Sequence, residues 1–291
     1  MQNAFAFMED FDVSVELPEA YIIAEQLNEV LPGKEVESYR LEDYERLHRI
    51  GFLNKDLTVF EGLVGGKVDS ATSRGNVVLV KLDNGMNLLI GPEYGGRVLY
   101  HEDGEDAPRK IHLKIDFTDG AAMTVRLTGM GIIQAHDDDS LRGSYVYERD
   151  FSETPSPLED VFTYESFSRQ LAENNNMLKT VLVGKNALLV GLSNSSFQDI
   201  IYRARLHPKR KGAQLGEGEK RALFDAIKLV IEERLRLGGK DQFIDIHGER
   251  GGYQPTMGPN MKNKNCPRCG TAIKIMQVGG GRVYFCPKCQ K

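Results

Sequence analysis

The sequence predicts an α+β protein: a β-sandwich with a flanking helix, then a helical domain, then a metal-stapled hairpin. Three observations predict this class. Short β-type segments separated by turn residues occupy residues 50–150, the apolar period becomes helical after Pro157, and residues 266–291 hold all four cysteines of the chain. A chain of 291 residues is long enough to build more than one hydrophobic core.

The first predicted element is an amphipathic helix over Ala20–Val30, where apolar residues recur at helical spacing. Pro18 suits a helix start. Glu16 and Glu19 lie where the helix dipole favours negative charge, so both carboxylates have a structural explanation. Residues 1–14 are expected to form an acidic leader ahead of this helix.

Two β-hairpins are predicted in the segment that follows. Val77–Leu82 and Met86–Ile90 flank an Asn-Gly turn, and His112–Phe117 and Ala121–Arg126 flank a Thr-Asp-Gly turn. Several short strands at this spacing are typical of a β-sandwich. We therefore assign residues 15–150 to a β-sandwich domain.

A helical domain is predicted over residues 155–240, after the boundary that Pro155–Pro157 marks. A loop rich in Gly, Pro and Asn is expected at residues 241–262. The helical or apolar segments of this domain are Phe162–Glu173, Ala187–Val190, Phe197–Ala204 and Gly216–Leu237.

The cysteines form two C-x2-C pairs separated by sixteen residues: Cys266 and Cys269, then Cys286 and Cys289. Two such pairs complete a tetrahedral shell of thiolates, and soft sulfur ligands favour zinc over magnesium or calcium. The alternative is a pair of disulfides, but the spacing matches a zinc pattern. We therefore predict one zinc ion at these cysteines.

The residues between the cysteine pairs predict a hairpin within a terminal element at residues 263–291. Ile273–Val278 and Val283–Phe285 have strand character, and a glycine turn with Arg282 separates them. A hairpin this short does not hold its shape alone, so the metal would staple it and present Arg282 beside its tip.

Charge is distributed unevenly although the net charge is only −5. Residues 201–291 contain 19 Lys and Arg against 8 Asp and Glu, whereas residues 1–200 contain 18 against 34. A basic C-terminal third favours a bound polyanion, and together with the zinc hairpin it favours nucleic acid. The alternative is a solvated face on an unrelated domain.

No apolar run approaches the length of a membrane span, and the first residues lack the basic region of a signal peptide. Cysteines used as metal ligands fit a reducing compartment. We expect a cytoplasmic protein that acts as a monomer.

The terminal motifs Cys-Pro-x-Cys-Gly and Phe-Cys-Pro-x-Cys-Gln, with a glycine turn and Arg282 between them, resemble a known zinc finger. It is the C-terminal finger of the formamidopyrimidine-DNA glycosylase and endonuclease VIII (Fpg/Nei) family, which removes damaged bases from DNA. Gly191–Asn194 and Ala204–Pro208 resemble that family's helix–two-turn–helix element. The resemblance extends from Val15 to Gln290 and implies double-stranded, damaged or distorted DNA as the partner.

The resemblance also implies particular DNA contacts. Asn194 matches the asparagine that holds a DNA phosphate, although an asparagine in a simple turn would also explain it. Arg282 would contact the backbone near the distorted site, and Arg74 belongs to the family's Arg-Gly strand entry. Tyr94 occupies the place of the methionine that fills the gap left by an extruded base, where an aromatic ring could stack.

The chain differs from the family's pattern at two positions, those of the family's catalytic amine and of its catalytic lysine. The family begins with a processed Pro-Glu-Leu-Pro-Glu, whose imino group attacks the sugar and forms a Schiff base. Here the matching residue is Val15, behind fourteen residues, and its nitrogen is a delocalised amide. The family's catalytic lysine is replaced by Asn76, which carries no charge. Glu16, at the proton-donor position, and Glu19 are retained.

The sequence is compatible with three functions. The first is a glycosylase that hydrolyses the base–sugar bond with water, with Glu16 as acid or base and no lyase step. The second is a catalytically inactive binder of damaged DNA. The third is a protein-interaction module that retains only the fold, and the basic C-terminal third argues against it.

Overall fold

The computed structural model describes residues 15–92, 95–184 and 186–291. The predicted acidic leader and Tyr94 therefore lie outside the described residues. The chain forms two compact units. The N-terminal unit contains the described residues up to Glu148 together with Asp241–Gly251, and the C-terminal unit contains Arg149–Lys240 together with Gly252–Lys291.

The N-terminal unit contains two four-stranded antiparallel sheets, with strand orders β1-β6-β7-β5 and β2-β3-β4-β8. Apolar side chains from both sheets and from helix α1 (Leu17–Val30) share one core. Both predicted hairpins are present, as β3–β4 and β6–β7. The strands are β1 (Val36–Leu41), β2 (Val68–Arg74), β3 (Val77–Leu82), β4 (Met86–Gly91), β5 (Arg97–His101), β6 (Leu113–Phe117), β7 (Ala122–Arg126) and β8 (Ile132–Asp137).

The alternation of buried and partly exposed residues along a strand explains how the sheets bury one face. On β6, Leu113, Ile115 and Phe117 are buried and alternate with partly exposed residues, as the pleat of a one-sided strand requires. The turn between β3 and β4 places Gly85 at φ 81°, a conformation that favours glycine. The predicted sandwich with a flanking helix is confirmed.

Short helices follow the sandwich, and the C-terminal unit is mainly helical. In α5, the Thr163 hydroxyl caps the helix by accepting from the backbone N–H of Ser166. No described helix is both long and apolar enough to cross a membrane. The helices after α1 are α2 (Glu45–Arg49), α3 (Asp138–Leu141), α4 (Tyr145–Asp150), α5 (Tyr164–Ala172), α6 (Leu178–Leu182), α7 (Asn194–Arg203) and α8 (Glu217–Arg236).

The apolar run that the sequence places in the helical domain does not form one of its helices. Ala187–Val190 is not helical, although Leu189 and Val190 are buried. Gly184 and Gly191 flank it at positive φ, so the four residues form part of a turn-bounded connection. Their apolar character reflects burial alone. The helix lies earlier, at α6.

The predicted loop at residues 241–262 contains a single described helical turn, the 3₁₀ segment Pro259–Met261. Its first part joins the N-terminal unit. Gln26 Nε2 donates to an Asp245 carboxylate oxygen at 2.8 Å, and the Tyr100 N–H donates to the Ile246 carbonyl at 2.8 Å. The chain therefore returns to the first unit before it builds the terminal hairpin.

Candidate metal centre and nucleic-acid interface

The terminal hairpin consists of β9 (Lys274–Val278) and β10 (Gly281–Phe285), paired antiparallel. Gly279 and Gly280 form its turn, and both have positive φ, which favours glycine. Arg282 is exposed in β10, opposite Gln277 and one pair from the turn. The hairpin thus places the arginine beside its tip, as the sequence predicts.

The four cysteine sulfur atoms converge within 4.8 Å of one another. Cys266 and Cys289 sulfurs lie 3.8 Å apart, and those of Cys269 and Cys286 lie 3.5 Å apart. A disulfide needs about 2.05 Å, so these are free thiols. Zinc–sulfur bonds of about 2.3 Å in a tetrahedron give sulfur–sulfur edges of about 3.8 Å. The cluster can hold a metal ion of this kind.

The surroundings of the cysteines act differently on the four thiols. Cys266 and Cys286 are buried among apolar side chains, which protects the centre from solvent. The Thr271 hydroxyl lies 3.3 Å from Cys269 Sγ, and this hydrogen bond lowers the pKa of the Cys269 thiol to about 6. The Cys289 N–H donates to Cys286 Sγ at 3.4 Å. Burial raises the pKa of the Cys286 thiol, and hydrogen bonding with Cys269 raises the pKa of the Cys289 thiol to about 12, so a bound metal ion would displace protons from these two sulfur atoms.

The start of α7 brings together two predicted DNA-contacting residues. Asn194 Nδ2 donates to the Arg282 backbone carbonyl at 2.9 Å, which ties the helix to the hairpin. Asn194 Oδ1 is buried without a hydrogen-bond partner among the described residues. The Ser193 hydroxyl, rather than Asn194, caps the helix by accepting from the Ser195 N–H at 3.4 Å. The asparagine side chain is therefore not used as an Asx cap.

Lys179 is a third member of this cluster, and the sequence analysis missed it. It lies on α6 with 5% of its surface exposed, and its Nζ donates to the Val278 carbonyl at 2.7 Å. A side chain at Gly281 would come within 2.8 Å of this Nζ. Burial lowers the pKa of Lys179. A nearly buried ammonium that meets no carboxylate among the described residues is a strong candidate for an anion contact.

The remaining predicted site residues lie in the N-terminal unit. Arg74 ends β2, and Asn76 follows it in the two-residue turn that leads into β3. Glu16 and Glu19 lie at the start of α1, both with 0% exposure. The Glu16 N–H donates to the Glu19 carboxylate at 3.1 Å, as in a capping box, so Glu19 has a structural role.

Val15 is the residue that the sequence resemblance matches to the family's nucleophilic proline. Its side chain is 1% exposed and belongs to the core of the β-sandwich. Glu16 follows as the N-cap of α1. The residue that matches the family's nucleophile is therefore a packed core residue at a helix start.

Two family models match the chain. The formamidopyrimidine-DNA glycosylase N-terminal domain matches residues 15–128, beginning at Val15, and the formamidopyrimidine-DNA glycosylase H2TH domain matches residues 154–244. The architecture is that of a DNA glycosylase. The chain belongs to the formamidopyrimidine-DNA glycosylase (Fpg/Nei) family of DNA-repair proteins.

Curated relatives extend the match to nearly the whole chain. The formamidopyrimidine-DNA glycosylase of Pelotomaculum thermopropionicum is 29% identical over 282 residues, covering 95% of this chain and 99% of the relative. The enzyme of the same name from Cytobacillus firmus is 28% identical over 284 residues, covering 94% and 99%.

Solved structures share the fold. Lactococcus lactis Fpg in complex with DNA containing an abasic site has a TM-score of 0.79 at 22% identity, covering 95% of this chain and 99% of that one. MutM (Fpg) from Thermus thermophilus has a TM-score of 0.78 at 23% identity, covering 94% and 98%.

Proposed function

We propose that the protein binds damaged or distorted double-stranded DNA through its C-terminal unit, without the Schiff-base chemistry of its family. The observation that carries this proposal is the cluster of Lys179, Asn194 and Arg282. It combines a buried cation, a helix start and an exposed arginine in β10 beside a glycine turn. Backbone N–H groups at helix starts and cationic side chains are the usual partners of DNA phosphates.

Two further observations support DNA as the polyanion. Residues 201–291 carry an excess of 11 basic over acidic side chains, which favours a backbone rich in phosphate. Lactococcus lactis Fpg, which shares the fold, has been solved with abasic-site DNA. We infer that segments 155–240 and 263–291 carry the DNA contacts, in a cytoplasmic monomer, and that Arg74 and Tyr94 contribute from the β-sandwich.

A second candidate function is N-glycosidic hydrolysis with water as the nucleophile and Glu16 as the acid or base. The retained Glu16 at the start of α1 favours it. Incubation with duplexes carrying a panel of lesions, scored separately for binding, base release and strand cleavage, distinguishes the candidates. Binding without base release supports the inactive binder. Base release that Glu16→Gln abolishes supports hydrolysis, and absence of DNA binding favours a protein-interaction module.

Arg282→Ala is expected to weaken binding to a duplex with an abasic-site analogue by about 1–3 kcal/mol, since a charge-assisted contact to phosphate would be lost. The slope of log affinity against log salt should also fall by roughly one contact. Fluorescence anisotropy at several salt concentrations measures both quantities.

Lys274→Ala is the matched control for Arg282→Ala. Lys274 is also exposed on the hairpin, but it pairs with Phe285 at the cysteine end, three register positions from Gln277. Lys274→Ala removes one positive charge, as Arg282→Ala does, but from the cysteine end of the hairpin. Equal losses for both variants would reduce the effect to net charge and contradict a specific Arg282 contact.

We propose that zinc occupies the cysteine centre and gives the hairpin its shape. Elemental analysis of protein purified without chelator should find about one zinc per chain, as a closed four-cysteine site requires. Cys286→Ser should lower the zinc content sharply and weaken DNA binding, since metal binding and folding are coupled. Metal-free protein with all four cysteines in disulfides would contradict the proposal.

A further inference from the structure

One face of α7 contacts the C-terminal segment that carries the cysteines and the hairpin, residues 263–291, at three places. Asn194, Gln198 and Tyr202 are four residues apart, so they lie along one stripe of the helix. We call these three residues the α7 stripe. Its contacts are Asn194 Nδ2 to the Arg282 carbonyl at 2.9 Å, Gln198 Oε1 to the Tyr284 N–H at 2.7 Å, and the Tyr202 hydroxyl to Cys266 Sγ at 3.3 Å.

Tyr202 places its hydroxyl directly against a metal ligand. Its ring is 0% exposed and packs in the cluster that surrounds the cysteines. The Arg268 guanidinium lies 4.2 Å from the ring centroid and donates to the Tyr202 carbonyl at 2.6 Å, which restrains the position of the ring. A buried phenol needs a hydrogen-bond partner. A metal-bound Cys266 thiolate accepts but cannot donate, so the hydroxyl donates to it.

Gln198 joins the two ends of the stripe. Its Nε2 donates to the Asn194 carbonyl at 3.0 Å while its Oε1 accepts from Tyr284 on β10. Gln198 is fully buried, so a change in the position of β10 would leave polar groups without partners. Movement of the hairpin is thereby tied to the start of α7.

We propose that Tyr202 is a positioning residue of the metal centre, and that the α7 stripe couples metal binding to the placement of Asn194 and Arg282. The proposal rests on the zinc and DNA binding proposed above. Hydrogen bonds from outside the ligand shell orient metal ligands and adjust their basicity. Coupling between two sites is reciprocal, so each ligand must favour the other to the same degree.

Tyr202→Phe tests the contact to Cys266 without DNA. It removes one oxygen atom and keeps the ring. Metal affinity, measured by competition with a chelator using Co²⁺ and Zn²⁺, should fall about tenfold or more. The sulfur-to-Co²⁺ charge-transfer band should move to lower energy, because the Cys266 thiolate loses a donor that stabilises its electrons.

Tyr284→Phe is the control for Tyr202→Phe. Tyr284 is buried in the same cluster, but its contact to the α7 stripe uses its backbone N–H. The metal affinity and the Co²⁺ spectrum of the Tyr284→Phe protein should stay close to those of the unaltered protein. An unchanged Tyr202→Phe protein, or equal losses in both variants, would overturn the role assigned to Tyr202.

Hydrogen exchange on the unaltered protein tests the coupling independently of any variant. Removal of the metal should increase amide exchange in α7 as well as in β9 and β10, because the stripe loses its contacts. An increase confined to residues 263–291 would show that the metal staples only the hairpin, and the coupling would be wrong.

The reciprocal measurement adds a duplex with an abasic-site analogue. Binding of the duplex should raise the affinity of the protein for metal, and binding of metal should raise its affinity for the duplex by the same factor. Gln198→Leu should bring this coupling factor close to one. A factor of one in the unaltered protein, or one unchanged by Gln198→Leu, would contradict the coupling. If the metal-loaded protein binds no duplex, the proposed function fails, whereas the results for Tyr202 and for hydrogen exchange still decide the α7 stripe.

Discussion

Borohydride should not trap the full-length protein on DNA that carries an abasic site. Reduction captures an imine, and an imine requires a free amine beside the sugar C1′. The nitrogen of Val15 is bonded to Ser14 as an amide, whose lone pair is delocalised into the carbonyl. Asn76, which the resemblance matches to the family's lysine, offers neither an amine nor a positive charge.

The packing of Val15 supports the same outcome. Its side chain lies in the sandwich core and Glu16 caps α1 directly after it, so the segment has a structural role that needs no catalysis. Denaturing electrophoresis of labelled duplex after reduction measures the adduct. A formamidopyrimidine-DNA glycosylase with an N-terminal proline serves as the positive control.

A covalent adduct on the full-length protein would contradict this prediction, and peptide mapping would identify the amine responsible. Lys179 is the first residue to inspect. Its Nζ belongs to the cluster that we propose to contact the duplex. Lys179→Arg would then abolish the adduct while keeping a cation at that place.

The sequence predicts those parts of the fold whose signals are local. The Asn-Gly turn between β3 and β4 and the alternation on β6 specify their hairpins within a few residues. The cysteine spacing specifies the cluster at residues 266–289 in the same way, because each C-x2-C pair is a short local turn. These elements are confirmed because their residues interact mostly with neighbours in the chain.

Features set by distant contacts were not predicted. Lys179 lies on a five-residue helix, too short for a periodic signal, and its role follows from Val278, 99 residues away. Tyr202 is an ordinary apolar position of α7 until Cys266 is brought against it. The return of Asp241–Gly251 to the first unit likewise depends on partners more than 200 residues away, such as Gln26.

The two glutamates proposed as catalytic candidates are also explained partly by local and partly by distant features. Sequence reasoning left Glu16 and Glu19 with both a structural and a catalytic explanation. Their burial and the hydrogen bond from the Glu16 N–H to Glu19 account for Glu19 as part of a helix cap. The resemblance assigns the Glu16 carboxylate to the family's proton-donor position. A test of Glu16 in the family's imine chemistry, as distinct from hydrolysis by water, therefore requires that the missing amine be supplied.

Supplying the missing groups is expected to produce strand cleavage at abasic sites. The variant begins at residue 15, with Val15→Pro to provide a free imino nitrogen and Asn76→Lys to provide the missing cation. Fixing an amine beside C1′ removes much of the entropic barrier to attack, so cleavage should rise on the order of 10²-fold or more above the full-length protein. Gel assays on abasic duplexes measure the rate, and borohydride should now trap the variant.

Two matched chains test the reason for this gain. Adding Glu16→Gln to the variant keeps the size of the side chain but removes its acid, so cleavage should fall by on the order of 10²-fold. A chain that begins at residue 15 with Val15 and Asn76 retained tests whether a primary amine alone is enough, and it should cleave more slowly than the variant. If the variant is folded by circular dichroism and binds the duplex but does not cleave it, the amine and the cation are not what this protein lacks. The catalytically inactive DNA binder would then be the better description, because the DNA contacts proposed for Asn194 and Arg282 need no chemistry in the β-sandwich.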